Sequence, residues 1–227
     1  MFALRCCTTR TGFPLSSIFL LAGLMLLTVS ARAADFDPDQ AFRKWGKAVS
    51  MEGAVAHFST GRLDSGYINA WNVGVRVSSF PFGVIHSRFL HGDLDGAFEV
   101  GLEPTFERFN TVHQNFAGVE LELRYYLVRL RYGPFVPWIG GAIGPGYSDL
   151  NIGHVQDDNK LTGPFLALIK GEVGIAYFID SQRDLYVGLE AQHLSNAGLN
   201  GNEGGNPTNF SINTASGVVV GFSWLFR

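Results

Sequence analysis

The stretch that decides the fold is Ala117-Gly118-Val119-Glu120-Leu121-Glu122-Leu123-Arg124-Tyr125-Tyr126-Leu127. Its odd positions are Ala117, Val119, Leu121, Leu123, Tyr125 and Leu127, and its even positions are Gly118, Glu120, Glu122, Arg124 and Tyr126. Strict alternation sends successive side chains to opposite faces of a β-strand, here one apolar and one charged. A helix, with its period of about 3.6 residues, would scatter both classes around its circumference.

The same signature recurs along the chain. Trp71, Val73, Val75 and Val77 alternate with Asn72, Gly74, Arg76 and Ser78. Phe98, Val100, Leu102 and Phe106 oppose Glu99, Gly101, Glu103 and Glu107. Phe165, Ala167, Ile169, Val173 and Ile175 oppose Lys170, Glu172 and Gly174, and Leu185, Val187, Leu189 and Ala191 oppose Tyr186, Gly188, Glu190 and Gln192. Val218, Val220, Phe222, Trp224 and Phe226 form the last stripe. Weaker stretches over 52–60 and 135–147 bring the expected number of strands to eight.

Composition narrows the class. The 227 residues include 28 Gly and 19 Phe, and only 16% are charged. Such a wealth of aromatic residues excludes long disorder. A formal charge of −3 without a basic cluster excludes a nucleic-acid binder. At the start, Arg5 and Arg10 precede an apolar run over 18–29, and Ala31-Arg32-Ala33 supplies small residues at the cleavage-defining positions. That is the pattern of a secretory signal peptide over 1–33, cut before Ala34. The run is too short for a helix that must cross a bilayer with about 20 residues. Cleavage takes Cys6 and Cys7 with it, so the exported chain is expected to have neither disulfides nor thiol chemistry. Residues 34–50 are then expected as an N-terminal periplasmic segment and 51–227 as the β-domain.

Two architectures accept alternating strands in an exported chain. A soluble sandwich or lipocalin-like barrel turns its apolar face inward, whereas a membrane barrel turns it to lipid and fills its lumen with glycines and charges. The segments match or exceed the ~9–11 tilted residues that cross a bilayer. Their polar faces carry both signs, Arg76, Arg124 and Lys170 against Glu99, Glu103, Glu120, Glu122, Glu172 and Glu190, which a closed lumen can pair. Aromatic residues near the strand ends, Tyr67, Trp71, Phe80, Trp138, Tyr177, Phe178, Trp224 and Phe226, suit interfacial girdles. The expected fold is therefore all-β, an eight-stranded antiparallel transmembrane β-barrel. An even strand count places both termini on the periplasmic side and the long segments 149–162 and 196–212 on the outer side. Residues 80–95 are long for a periplasmic turn.

The six histidines show no HExxH spacing, and Gly140 to Gly146 lacks the Lys-Ser/Thr of a phosphate loop, so neither a metal nor a cofactor is expected. The informative segment is His193-Leu194-Ser195-Asn196-Ala197-Gly198-Leu199. His193 and Ser195 share one strand face, and by parity it is the apolar face of Leu185, Val187, Leu189 and Ala191. A hydroxyl beside an imidazole is a nucleophile and base pair, provided a third group orients the ring. The alternative is that both residues simply reach the interfacial zone, where Ser and His are tolerated.

This segment resembles the lipid A 3-O-deacylase (PagL) family of outer-membrane esterases. The wider acyloxyacyl hydrolase-like group shares it, along with the Leu123-Arg124-Tyr125-Tyr126 and Pro137-Trp138-Ile139-Gly140-Gly141-Ala142 strands. The resemblance implies that Ser195 is the nucleophile and His193 the general base. Asn196 and Asn206 would stabilise the oxyanion. It implies a bacterial outer-membrane location, the lipid A of lipopolysaccharide as substrate and outer-membrane lipids as surroundings. A homodimer is the candidate assembly. The sequence departs from the family at the third member: where the family has a Glu at the start of the last strand, this chain has Asn213, with Glu203 in the preceding loop as the substitute carboxylate. A small barrel without enzymatic activity, binding or adhering through its outer loops, is the competing expectation. A soluble lipocalin-like carrier is the third.

Overall fold

The computed structural model of the protein describes residues 36–59, 67–86, 95–110, 113–149, 165–195 and 211–226. After a single-turn helix, α1 (Pro38–Ala41), come β1 (Gly46–Ser59), β2 (Tyr67–Phe80), the two-residue β3 (Val84–Ile85), β4 (Gly96–Phe109), β5 (Gln114–Tyr126), β6 (Phe135–Ser148), β7 (Phe165–Asp180), β8 (Arg183–Ser195) and β9 (Ser211–Phe226). All pairings are antiparallel between neighbours, and β1 pairs with both β2 and β9, so eight long strands close on themselves. The barrel starts at Gly46 rather than at the expected 51, because Lys47 and Val49 are already in register with Phe226 and Trp224. β3 takes over from β2 beside the first residues of β4. Part of the long 80–95 connection is therefore strand. Its entry needs Gly83, at φ 69°, where a Cβ would lie 3.0 Å from the Lys44 nitrogen.

Alternation decides what faces where. The outer surface carries Met51, Val77, Leu102, Ile143, Val173 and Leu189, with Leu189 63% and Leu102 56% exposed, while Glu107, Glu122 and Arg124 are buried in the lumen. A barrel in water would reverse this, because burying charge and exposing leucine both oppose folding there. The polarity is that of a lipid-facing exterior, which rules out the soluble lipocalin-like alternative. No helix among the described residues is long and apolar enough to cross a membrane; the crossing elements are strands.

The lumen is filled by ion pairs. Arg76 reaches Glu52 at 3.2 Å, Glu99 at 3.3 Å and Glu122 at 2.5 Å. Arg124 reaches Glu122 at 2.8 Å and Glu172 at 3.1 Å, and lies 3.9 Å from the centroid of the Trp138 ring. Lys170 meets Glu120 at 3.0 Å. Each partner compensates the several kcal/mol that stripping water from a charge costs. Trp138 finds room because Gly174 on β7 and Gly188 on β8 lack a Cβ; one added at Gly188 would sit 2.9 Å from its ring.

At the end that carries both termini, an aromatic plug closes the lumen. The Asp37 side chain caps α1 by accepting from the Asp39 N–H at 3.0 Å, with proline in the first turn. The short helix delivers Phe42 against Phe80 (5.3 Å between centroids), Tyr126 (4.7 Å) and Phe178 (5.3 Å). Phe80, Trp138 and Phe178 therefore do not belong to an interfacial girdle. They have inward parity and are fully buried, which proximity to a strand end could not reveal. Trp71, Trp224 and Phe226 do face outward.

Candidate functional site

On β8, Leu189 and Ala191 are exposed and Glu190, Gln192 and Leu194 are buried, so His193 falls on the outward series and is half-buried. Ser195 ends the strand at the next position of the same parity. On the β7 side, His193 pairs with Ile169 and Ser195 with Ala167. These small and aliphatic neighbours continue the apolar outer surface right up to the two polar positions.

The β9 side is irregular. Gln192 pairs with Ala215, but Leu194 pairs with Ile212, so the register shifts and the single residue His193 faces two residues, Asn213 and Thr214. This is a β-bulge, a device that breaks regular pairing and re-aims side chains. Ser211 pairs with Ser195. The structure thus brings Asn213 to the position across from His193, although the two are far apart in sequence. The bulge also sets Thr214 opposite His193, which strict alternation along β9 does not predict. The adjacent polar pair Asn213-Thr214 in an otherwise alternating strand was the available signal. Asn196, Glu203 and Asn206, the other expected site residues, lie outside the described residues.

By backbone register, a His and the strand-ending Ser of β8 lie against the segment of β9 that carries an Asn and a Thr. An amide can hold an imidazole in one tautomer but brings no charge to an imidazolium.

The lumen offers a contrast. Carboxylate oxygens of Glu52, Glu103 and Glu122 lie within 4.8 Å of one another, a spacing that would suit a cation. Arg76 and Arg124 already stand among them. Nine buried acids face three buried bases among the described residues. The three carboxylates of Glu52, Glu103 and Glu122 are thus already engaged by arginines within the barrel.

Comparison with known proteins bears on this geometry. The family model described as lipid A 3-O-deacylase (PagL) matches residues 54–215. No curated protein matches the chain. Among solved structures, Neisserial surface protein A is similar at a TM-score of 0.51 and 14% identity, covering 79% of this chain and 97% of its own. The outer-membrane enzyme PagL is similar at 0.49 and 13% identity, covering 77% and 98%.

Proposed function

This chain belongs to the lipid A 3-O-deacylase (PagL) family, a β-barrel of the bacterial outer membrane, and from that premise we propose that it is a serine esterase removing the 3-linked acyl chain of lipid A. The observation that carries the reading is the break in the lipid-facing stripe of β8, where His193 and Ser195 follow Val187, Leu189 and Ala191 on the outward series. An ester anchored in the outer leaflet presents its carbonyl at that surface, so the substrate need not leave the membrane.

In the proposed reaction the Ser195 hydroxyl attacks the ester carbonyl while His193 takes its proton. The tetrahedral oxyanion is held by Asn196 and Asn206, each donor worth about 3 kcal/mol in such a site. Collapse expels the sugar oxygen, protonated by His193. A water activated by the same imidazole then frees the 3-hydroxy fatty acid. Asn213, across the bulge, orients the ring in the place of the family's Glu, with Glu203 as the alternative carboxylate. Residues 1–33 serve as the export signal, and the end carrying the termini faces the periplasm.

The test is mass spectrometry of lipid A from cells overproducing the protein. Wild type removes one 3-hydroxyacyl chain, and Ser195→Ala and His193→Ala do not, although both variants still show the heat-modifiable gel mobility of a folded barrel. An unchanged lipid A pattern with wild type refutes the proposal. The neutral Asn213 favours a second reading, a barrel without ester chemistry that binds through its outer loops. It predicts indifference to Ser195→Ala and sensitivity to changes within 149–162.

A further inference from the structure

The polar break in the apolar exterior is wider than β8. On β1, exposed Met51 and Val55 are followed outward by His57; on β2, Val73 and Trp71 give way to Asn69; on β9, Val220 is followed by half-buried Val218 and then exposed Ser216. These residues are lateral neighbours: Asn69 pairs with His57, His57 with Ser216, and Ser216 with Ala191. Further round this end, β6 and β7 finish in exposed Tyr147 and Phe165, 6.5 Å apart between centroids, while Arg108 on β4 donates to the Asn115 side chain on β5 at 2.7 Å. Beside His193, the run of polar outward positions on neighbouring strands thus passes through β9, β1 and β2.

His57 and Asn69 are organised within it. The His57 Nδ1 is 2.7 Å from the Asn69 Oδ1 on the exposed surface. An amide oxygen only accepts, so Nδ1 carries the proton, and the ring is held in one tautomer and orientation. Two strand spacings of ~4.8 Å and two residues of ~3.4 Å rise put His57 about 12 Å from His193 along the surface. That is about the length of a disaccharide. Moreover, strands in such barrels are tilted by about 35–45°, so a row of paired residues climbs from one strand to the next and the two histidines end at similar depth.

We propose that His57, Asn69 and Ser216 form a headgroup subsite that hydrogen-bonds the sugar portion of the lipid while its ester lies at His193 and Ser195. The inference rests on the lipid A reading for its ligand. It deepens that reading by assigning recognition of the carbohydrate to β1, β2 and β9 rather than to the reacting strand. Without such contacts, any acyl ester of the outer leaflet would present itself equally well to Ser195.

The experiment measures binding, so that turnover is not needed. In a Ser195→Ala background, the full-length protein in detergent micelles is titrated with lipid A and, separately, with the methyl ester of 3-hydroxytetradecanoic acid, which has the acyl chain but no sugar. His57→Phe, which restores the apolar surface, is expected to weaken lipid A binding about tenfold, the effect of one lost hydrogen bond. Affinity for the methyl ester should shift by less than about twofold. His57→Gln, which keeps a polar partner for Asn69, should fall between, and it replaces His57→Phe if that variant does not fold. Unchanged lipid A affinity, or an equal loss for both ligands, overturns the subsite. If the wild type leaves lipid A intact while His57→Phe shows the selective binding loss, the esterase reading falls and the subsite stands.

Discussion

Arg124→Met tests the architecture most directly, because the lumen stands or falls on charge pairing. Arg124 is fully buried and holds Glu122 at 2.8 Å and Glu172 at 3.1 Å, with Glu52 at 3.6 Å. Its guanidinium is also sandwiched against Trp138 and Tyr186, at 3.9 and 4.6 Å from the ring centroids. Methionine of similar length can refill the volume and keep contact with the rings, so packing loss is small. The electrostatic loss is not small, since removing one partner of a buried pair typically destabilises by about 3–5 kcal/mol. A desolvated cation–π contact adds up to about 2 kcal/mol. The lumen already holds nine buried acids against three bases among the described residues, so no spare cation takes over. The expected loss is therefore about 4 kcal/mol, read as the shift in urea-induced unfolding in lipid vesicles followed by Trp fluorescence. A companion Arg124→Met/Glu172→Gln variant should recover about 1–3 kcal/mol of it, the coupling expected for residues in one network. A loss below about 1 kcal/mol for Arg124→Met, or no recovery in the double variant, would refute the reasoning.

The exterior answers in the opposite sense: Leu189→Arg, in the middle of the β8 stripe, should destabilise the barrel by about 2–4 kcal/mol in the same unfolding assay, whereas a water-facing site would tolerate it. Gly188→Val should destabilise by about 1–3 kcal/mol, because the new Cβ crowds the Trp138 ring; a joint Gly188→Val/Trp138→Leu variant should regain part of the loss. Asn213→Glu restores a carboxylate across from His193. A charge about 5 Å from an imidazolium at an effective dielectric of about 20 is worth ~3 kcal/mol, so the deacylation rate should rise by up to about a hundredfold. A rate that falls or stays level in this variant removes Asn213 from the orienting role.

Much of this protein was legible because its information is local. Period-two alternation needs only neighbouring residues, and it identified the strands, their two faces and the outward placement of His193 on β8. The inverted polarity was legible too, since low charge and abundant glycine and phenylalanine accompany apolar stripes that have no water-soluble core to fill. Parity also sorts Phe80, Trp138 and Phe178 into the lumen, where nearness to strand ends points instead to the girdle.

What only the closed structure decided is pairing between segments distant in sequence. Arg76 on β2 reaches Glu122 on β5, and Arg124 on β5 reaches Glu172 on β7, because the curved barrel brings inward positions of non-neighbouring strands together across the lumen. Nothing in any one stripe encodes that meeting. The bulge that sets Asn213 and Thr214 opposite His193 is likewise a property of two strands, visible only once register is known at Gln192 and Leu194 on either side. His57 and Asn69 meet across the consecutive strands β1 and β2, but Ser216 on β9 comes from the far end of the chain, and only barrel closure makes it a neighbour of His57.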